Sequence, residues 1–435
     1  MSARGLARLG VVLAVAAAAA AVACTEQVTA PGQCPNYCPT RRLTMVDTVL
    51  RTNIVKDSAY RGYVLPHRAT VLLAANLPGV VESRPMWRFT TIGPRLVILA
   101  TDTTQGTIEH ADSARLFFYI TRYDSLERGQ SVRVYRLPVT IDTTTTFAML
   151  DPGPFADSLV RTLPLDSLLA RPGRRDSITR SVTHVDTLAG DSVVVDTLHR
   201  ILVSLKLDSS QARYVAGDTG KVAYGIRLAA ADSLASWIVG KDALGATLQW
   251  YLVADSLGVP VKRTAPAVRG TTLATFVFNP PAAPLDSTLA VGGVPAARSV
   301  LRVTLSRPMR DSVRILRGTL LLVPAVAARG ARVDSFSVQA HTVFADFGAK
   351  SPLVIDLTHV DSTQIHVGAT DTVRIEITNL LQLWQTDSTK PTTLVLSAKS
   401  EGSELGEIRF YPSAAAAYRP TLHLTYLQSY PFGVP

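Results

Sequence analysis

Of the 26 aspartates in this 435-residue chain, 22 are followed directly by Ser or Thr. Asp47, Asp112, Asp186, Asp208, Asp334 and Asp371 are examples. The side-chain oxygens of such a pair accept nearby backbone N–H groups, which suits strand ends and turns and works against a continuing helix. Many of the pairs flank β-branched runs, as where Val193, Val194 and Val195 lead into Asp196 and Thr197. An array of calcium loops would need the spaced Asp-x-Asp-x-Asp-Gly pattern, which does not occur. The punctuation therefore predicts short extended segments separated by polar turns.

The intervening segments have strand length and alternating polarity. Residues 115–121 and 131–137 are read as neighbours in one sheet. In the second, Ser131, Arg133, Tyr135 and Leu137 share one face, while Val132, Val134 and Arg136 share the other. Helical periodicity is weak, with short candidates at 157–170 and 379–385; the latter sets Leu380, Leu383 and Trp384 on one side. Many short strands without helical crossovers predict an all-β, antiparallel fold, sandwich or barrel.

An internal repeat refines this expectation. Residues 374–384, 392–398, 407–411 and 420–426 parallel 201–207, 221–228, 237–239 and 246–253. Upstream, 86–90, 114–120 and 132–137 parallel 300–305, 318–323 and 334–340. The repeat predicts two tandem jelly-roll-like β-sandwiches at 45–262 and 268–435, the first carrying a polar insertion at about 150–195. A linker is expected at 263–267, close to Pro260, Pro266 and three basic residues.

The N-terminus carries an address. Arg4 and Arg8 precede an apolar run over 9–23 that ends in Ala21, Val22, Ala23 and Cys24. That is the build of a secretory signal, and the run is shorter than the roughly 18 residues a spanning helix requires. A cysteine directly after small residues resembles the acceptor site of bacterial lipoproteins. That resemblance implies a signal peptide at 1–23, a diacylated Cys24 and a tether at 24–44. Because Thr25 rather than Asp follows Cys24, it also implies an outer-membrane destination. In the tether, Cys34 and Cys38 are candidates for a local disulfide, which export permits; two unpaired or intermolecular thiols are the alternative. Zinc is disfavoured because no further Cys or His pair lies nearby.

Without the signal, which holds Arg4 and Arg8 and no acid, the formal charge falls from +10 to +8. A modest positive field favours anionic glycans or lipid headgroups as partners. No run of five or six basic residues occurs and aromatics do not alternate with Arg, so nucleic acid is not expected.

Catalytic motifs are sparse. The triplet Asp218, Thr219, Gly220 imitates half of an aspartic-protease site, but no second copy exists, and a turn is the better reading. The eight histidines, His67, His110, His184, His199, His341, His359, His366 and His423, show no metal-ligand spacing. Neither a Gly-x-Ser-x-Gly elbow nor a His-Glu-x-x-His helix is present. No catalytic, cofactor-binding or metal residue is therefore assigned. Trp87, Trp237, Trp250 and Trp384 sit in apolar runs and are expected in the core rather than as sugar-stacking platforms. Arg302, Arg314 and Arg317 are candidates to present guanidinium forks to carboxylated sugars, against the plainer reading of solvated outer faces.

The second copy resembles the DNRLRE-type (disaggregatase-related) β-sandwich domains of bacterial and archaeal surface proteins. The resemblance rests on Ala290–Gly293 before the strand at 299–305, the next two strands at 318–323 and 335–340, the segment 375–384 leading into a short helical turn with Trp384, and the closing strand at 419–426. The acidic–Asn–Arg pattern that names the family has no counterpart here. The resemblance implies a sandwich fold; some relatives bind anionic polysaccharide or accompany enzymes that degrade it, and others are passive surface modules. The resulting expectation is a non-enzymatic, envelope-anchored lipoprotein displaying β-sandwiches for adhesion or scaffolding. Its expected partners are the membrane, through the N-terminal lipid, and an anionic glycan or another envelope protein, with no cofactor. The alternatives are a carbohydrate-binding module for anionic polysaccharide and a hydrolase acting on envelope or extracellular polysaccharide.

Overall fold

The computed structural model describes residues 44–90, 95–97, 105–123, 127–212, 222–231, 235–256, 258–262, 266–279, 287–331, 335–348 and 353–428. Cys24, Cys34, Cys38 and the triplet at 218–220 lie outside the described residues. The chain enters through β1 (Met45–Leu50) and β2 (Ile54–Arg61). A large group follows: β3 (Leu72–Leu77), β4 (Val81–Phe89), β5 (Arg95–Val97), β6 (Gln105–Tyr123), β7 (Ser131–Leu137), β8 (Leu159–Pro164), β9 (Arg174–Arg175), β10 (Val182–Val185), β11 (Ser192–Val195) and β12 (Ile201–Asp208). β13 (Val222–Ala229), β14 (Ala235–Val239), β15 (Thr247–Ser256), β16 (Val259–Lys262) and β17 (Ala267–Phe278) complete it. The last strands are β18 (Leu289–Gly292), β19 (Ala297–Val303), β20 (Val313–Leu322), β21 (Pro324–Arg329), β22 (Ser335–Ala345), β23 (Val354–His366), β24 (Val373–Glu376), β25 (Thr393–Ala398), β26 (Glu407–Phe410) and β27 (Thr421–Gln428). The fold is all-β, as expected from the sequence, with antiparallel pairing throughout the described ladders. Among the described residues no helix is long and apolar enough to cross a membrane.

β3 to β17 form a barrel rather than the expected first sandwich. β6 pairs with both β14 and β15, and β14, β3, β4, β17 and β15 complete a closed circuit back to it. The reason is legible in β6: Ala114, Leu116, Phe118 and Ile120 alternate inward along one strand long enough to serve several partners. Trp87, Trp237, Trp250 and Leu205 fill the same interior, so the barrel is a packed core. β7 does not pair with β6 as expected but with β8 and β13, because the edges of β6 are taken by β12, β14 and β15. Both faces of β7 are buried: Val132 and Val134 join the barrel core, while Tyr135 and Leu137 join a satellite cluster with Phe147 and Phe155.

The second body is the expected sandwich. A four-stranded sheet, β1-β27-β20-β24, packs on a sheet ordered β21-β26-β18-β19-β25-β22-β23, to which β2 adds through β19. Leu320, Leu322, Ile375, Leu422 and Leu424 of one sheet meet Val291, Leu301, Val338, Leu396 and Phe410 of the other. The helix at Thr378–Thr386, close to the expected 379–385, seals one side with Leu380, Leu381 and Trp384.

Three boundaries move. β1 and β2, expected in the first body, pair with β27 and β19 of the second. The expected linker at 263–267 reaches β17, which pairs with β4 and β15, so the barrel runs on to Phe278. The barrel is thus inserted into the sandwich between β2 and β18. The polar insertion at 150–195 is no separate lobe: β8 extends the β7 edge, and β9, β10 and β11 add hairpins to β12. The expected helix at 157–170 is only Leu165–Leu169, preceded by β8. The sequence repeat does not extend to topology, since its segment 114–120 belongs to a barrel strand while the counterpart at 318 lies in β20 of the four-stranded sheet.

The Asp-Ser/Thr turns behave as their chemistry requires. Asp142, Asp176, Asp186, Asp196, Asp208 and Asp387 each accept backbone N–H groups two to four residues on.

Candidate functional site

The four-stranded sheet buries one face and leaves the other open. Alternation sends Ile315, Leu320, Leu322, Val373, Ile375, Leu422 and Leu424 inward, so their neighbours point out. Register arranges the outward side chains in rows. Asp47, Thr425 and Arg317 form one; Val49, His423, Thr319 and Glu376 a second; Thr421, Leu321 and Arg374 a third. Met45, Leu427 and Arg314 lie beyond the first.

Arg314 and Arg317 are three residues apart, which in a regular strand puts them on opposite faces. A β-bulge between Ile315 and Arg317 inserts Leu316 and restores both to the open face, opposite Leu427 and Thr425. The face encloses a depression of about 460 Å³ lined by Asp47, Arg317, Thr319, Leu321, Arg374, Glu376, His423 and Thr425.

Two linked polar groups hold the centre. His423 Nε2 lies 2.9 Å from Asp47 Oδ1, to which Thr425 Oγ1 donates at 3.0 Å. Hydrogen bonds from Thr425 and His423 hold the exposed Asp47 carboxyl below its usual range. Arg317 Nε donates to Glu376 Oε2 at 3.0 Å, and Thr319 Oγ1 to the same oxygen at 3.2 Å. Thr378 Oγ1 donates to Glu376 Oε1 at 2.5 Å while accepting the Gly318 N–H at 2.9 Å, tying the helix start to β20. Burial pushes the Glu376 carboxyl up, but the bonds from Thr378, Arg317 and Thr319 outweigh it and the net shift is downward. The side chains of Arg314 and Arg374 are exposed and make no hydrogen bond or ion pair among the described residues. The face therefore offers guanidinium forks, hydroxyls and one imidazole at side-chain spacing, the donors that a carboxylated polyol requires.

The three arginines singled out in the sequence separate. Arg302 is spent on a two-pronged pair with Asp346, at 2.7 and 2.8 Å, and is removed from any ligand. Arg314 and Arg317 reach the open face. All four tryptophans are buried in the cores, as expected, so none offers a stacking platform. His423 gains Asp47. His359 lies 2.8 Å from Asp356 Oδ2 through a bulged turn in β23. Arg374, Asp47 and Glu376 were not identified from sequence, although the alternation of Val373, Arg374, Ile375 and Glu376 marks two outward charges.

Other charge clusters are structural. Arg84 is buried between the rings of Phe147 and Phe155, 4.4 and 4.7 Å from its guanidinium, and pairs with Glu82 and Asp151. Among the described residues no three His, Cys, Asp or Glu side chains converge as metal ligands. Comparison with known proteins finds no matching family model and no matching curated sequence.

Proposed function

We propose that this chain is a non-enzymatic envelope lipoprotein, anchored through Cys24, whose sandwich presents the open face of its four-stranded sheet to a carboxylated polysaccharide. The observation that carries the reading is the bulge at Leu316, which gathers Arg314 and Arg317 on one surface with Arg374. Among the described residues two of these guanidinium groups have no partner to give up, so a ligand carboxylate meets them without breaking an existing pair there. The lipid anchor rests on the sequence of residues 1–24 and adds a surface address to that face. The open setting of His423 and Asp47 supports recognition over hydrolysis, because no crevice excludes water around the pair.

Retention on immobilised polygalacturonate tests the binding role. The protein is expected to be held at low salt and released as ionic strength rises, because exposed charge pairs are screened. Arg314→Ala combined with Arg374→Ala is expected to weaken retention by about tenfold, while Arg302→Ala lowers stability instead. Absence of retention, or equal retention by the double variant, overturns the reading. For the anchor, Cys24→Ser is expected to leave the protein unlipidated, read as loss of labelled fatty-acid incorporation; unchanged incorporation would refute the assignment.

A further inference from the structure

The hairpins of β9 to β12 repeat a turn at ten-residue spacing, beginning at Asp176, Asp186 and Asp196. In each, the Asp Oδ1 accepts the N–H of the residue two on: Ile178 at 2.9 Å, Leu188 at 3.0 Å and Leu198 at 2.9 Å. The same bond that closes the turn thus sets an aliphatic side chain at its apex, 89%, 98% and 68% exposed. Val182 pairs with Val195, so the turns at 176–181 and 196–200 lie side by side at one end of the array. The turn at 186–191, beyond the Val185 and Ser192 pair, lies at the other. Ile178 and Leu198 therefore sit about two strand spacings apart, roughly 10 Å.

The charge around the two adjacent tips is cationic. Arg174, Arg175, Arg180 and Arg200 flank them, and the acids present are Asp176 and Asp196. Both carboxylates are engaged by their own turns, and Asp196 also by Arg200 Nε at 2.7 Å. The side chains of Arg175 and Arg180 make no hydrogen bond or ion pair among the described residues.

We infer that this end of the array is a membrane-contacting edge, dipping Ile178 and Leu198 into the headgroup region of an anionic bilayer while the arginines meet lipid phosphates. Two separated aliphatic tips make too small and discontinuous an apolar area for a stable protein interface, which needs about 800 Å² per partner around packed anchors. Fluid hydrocarbon requires no shape complementarity, and apolar insertion and attraction to anionic lipid act together. This edge belongs to the barrel, is independent of the glycan face, and is separable from the proposed anchor.

The test places a reporter at each tip of the full chain. Ile178→Trp, Leu198→Trp and Leu188→Trp are made singly, against four native tryptophans that are buried and give a constant background. Each is mixed with phosphatidylglycerol–phosphatidylethanolamine vesicles carrying brominated acyl chains. The added fluorescence at 178 and 198 is expected to fall about twofold, while that at 188, facing away, does not. Arg175→Glu with Arg180→Glu, or phosphatidylcholine vesicles, should remove the quenching. Millimolar inorganic phosphate should leave it unchanged, which separates a lipid surface from a free anion. Equal quenching at all three tips overturns the inference, as does no quenching at 178 and 198.

Discussion

Asp356 has no exposed surface and still carries a charge. Burial pushes its carboxyl up, but Thr358, Lys390 and His359 outweigh that and hold it far below the usual range. Hydrogen bonds from Arg302 likewise hold Asp346 at about 2 against its burial. His341 shows the opposite chemistry: burial and the nearby Arg298 push its imidazole down, against a backbone hydrogen bond with Asp356 and the charges of Glu401 and Asp356. All three groups titrate lower in the folded chain than in the unfolded one, so proton uptake favours unfolding. Each contribution is present above the unfolded value and is lost as pH falls. Thermal midpoints are therefore expected to decline in two stages, first below about 6.5 from His341 and then below about 3.9 from the two aspartates. His341→Gln should flatten the first stage; an unchanged slope would assign it elsewhere. Asp346→Asn should cost about 2 kcal/mol at pH 7, read by urea titration.

At the scale of elements, the helix Thr378–Thr386 lies against β20 because position 318 lacks a side chain. A Cβ there would collide with Leu381 Cδ1 and come within 3.2 Å of Leu424 Cδ2. Gly318→Ala is expected to cost 1–3 kcal/mol through overpacking, about the range for such insertions. Paired with Leu381→Ala, which vacates the space, it should cost less than the sum of the single changes; strict additivity in denaturant titrations would refute the contact. The turns and this helix were legible in the sequence because their signals are local: Asp before Ser or Thr, and Leu380 with Trp384 at helical spacing. Strand partners were not, since the pairing of β7 depends on which edges of β6 remain unoccupied. The same limit applied to the open face. Nothing in sequence separates Arg302 from Arg317; what separates them is Asp346, 44 residues beyond Arg302. Asp47 meets Thr425 across 378 residues.

For the whole molecule, the two bodies share a core. Val294 and Leu405 of the sandwich belong to the apolar cluster of the barrel, and Thr70 Oγ1 meets Ser403 Oγ at 2.9 Å. Beside them Glu407 lies between Arg61 and Arg409, at 2.8 and 2.6 Å, largely out of water. Unfolding is expected to be one calorimetric transition, because loss of either body strips apolar cover from the other. Leu405→Ala should cost about 2–5 kcal/mol and split the transition in two, and two separate transitions already in the unsubstituted chain would show the bodies to be energetically independent. The insertion of the barrel between β2 and β18 also has a mechanical meaning. β1, the first described strand, is hydrogen-bonded to β27 in the very sheet whose outer face carries Arg317 and His423. Under the proposed function, with an anchor at Cys24 and a polymer gripped at that face, tension between them would run through neighbouring strands of one sheet, and the barrel would hang beside the load path like a pendant and bear none of the pull.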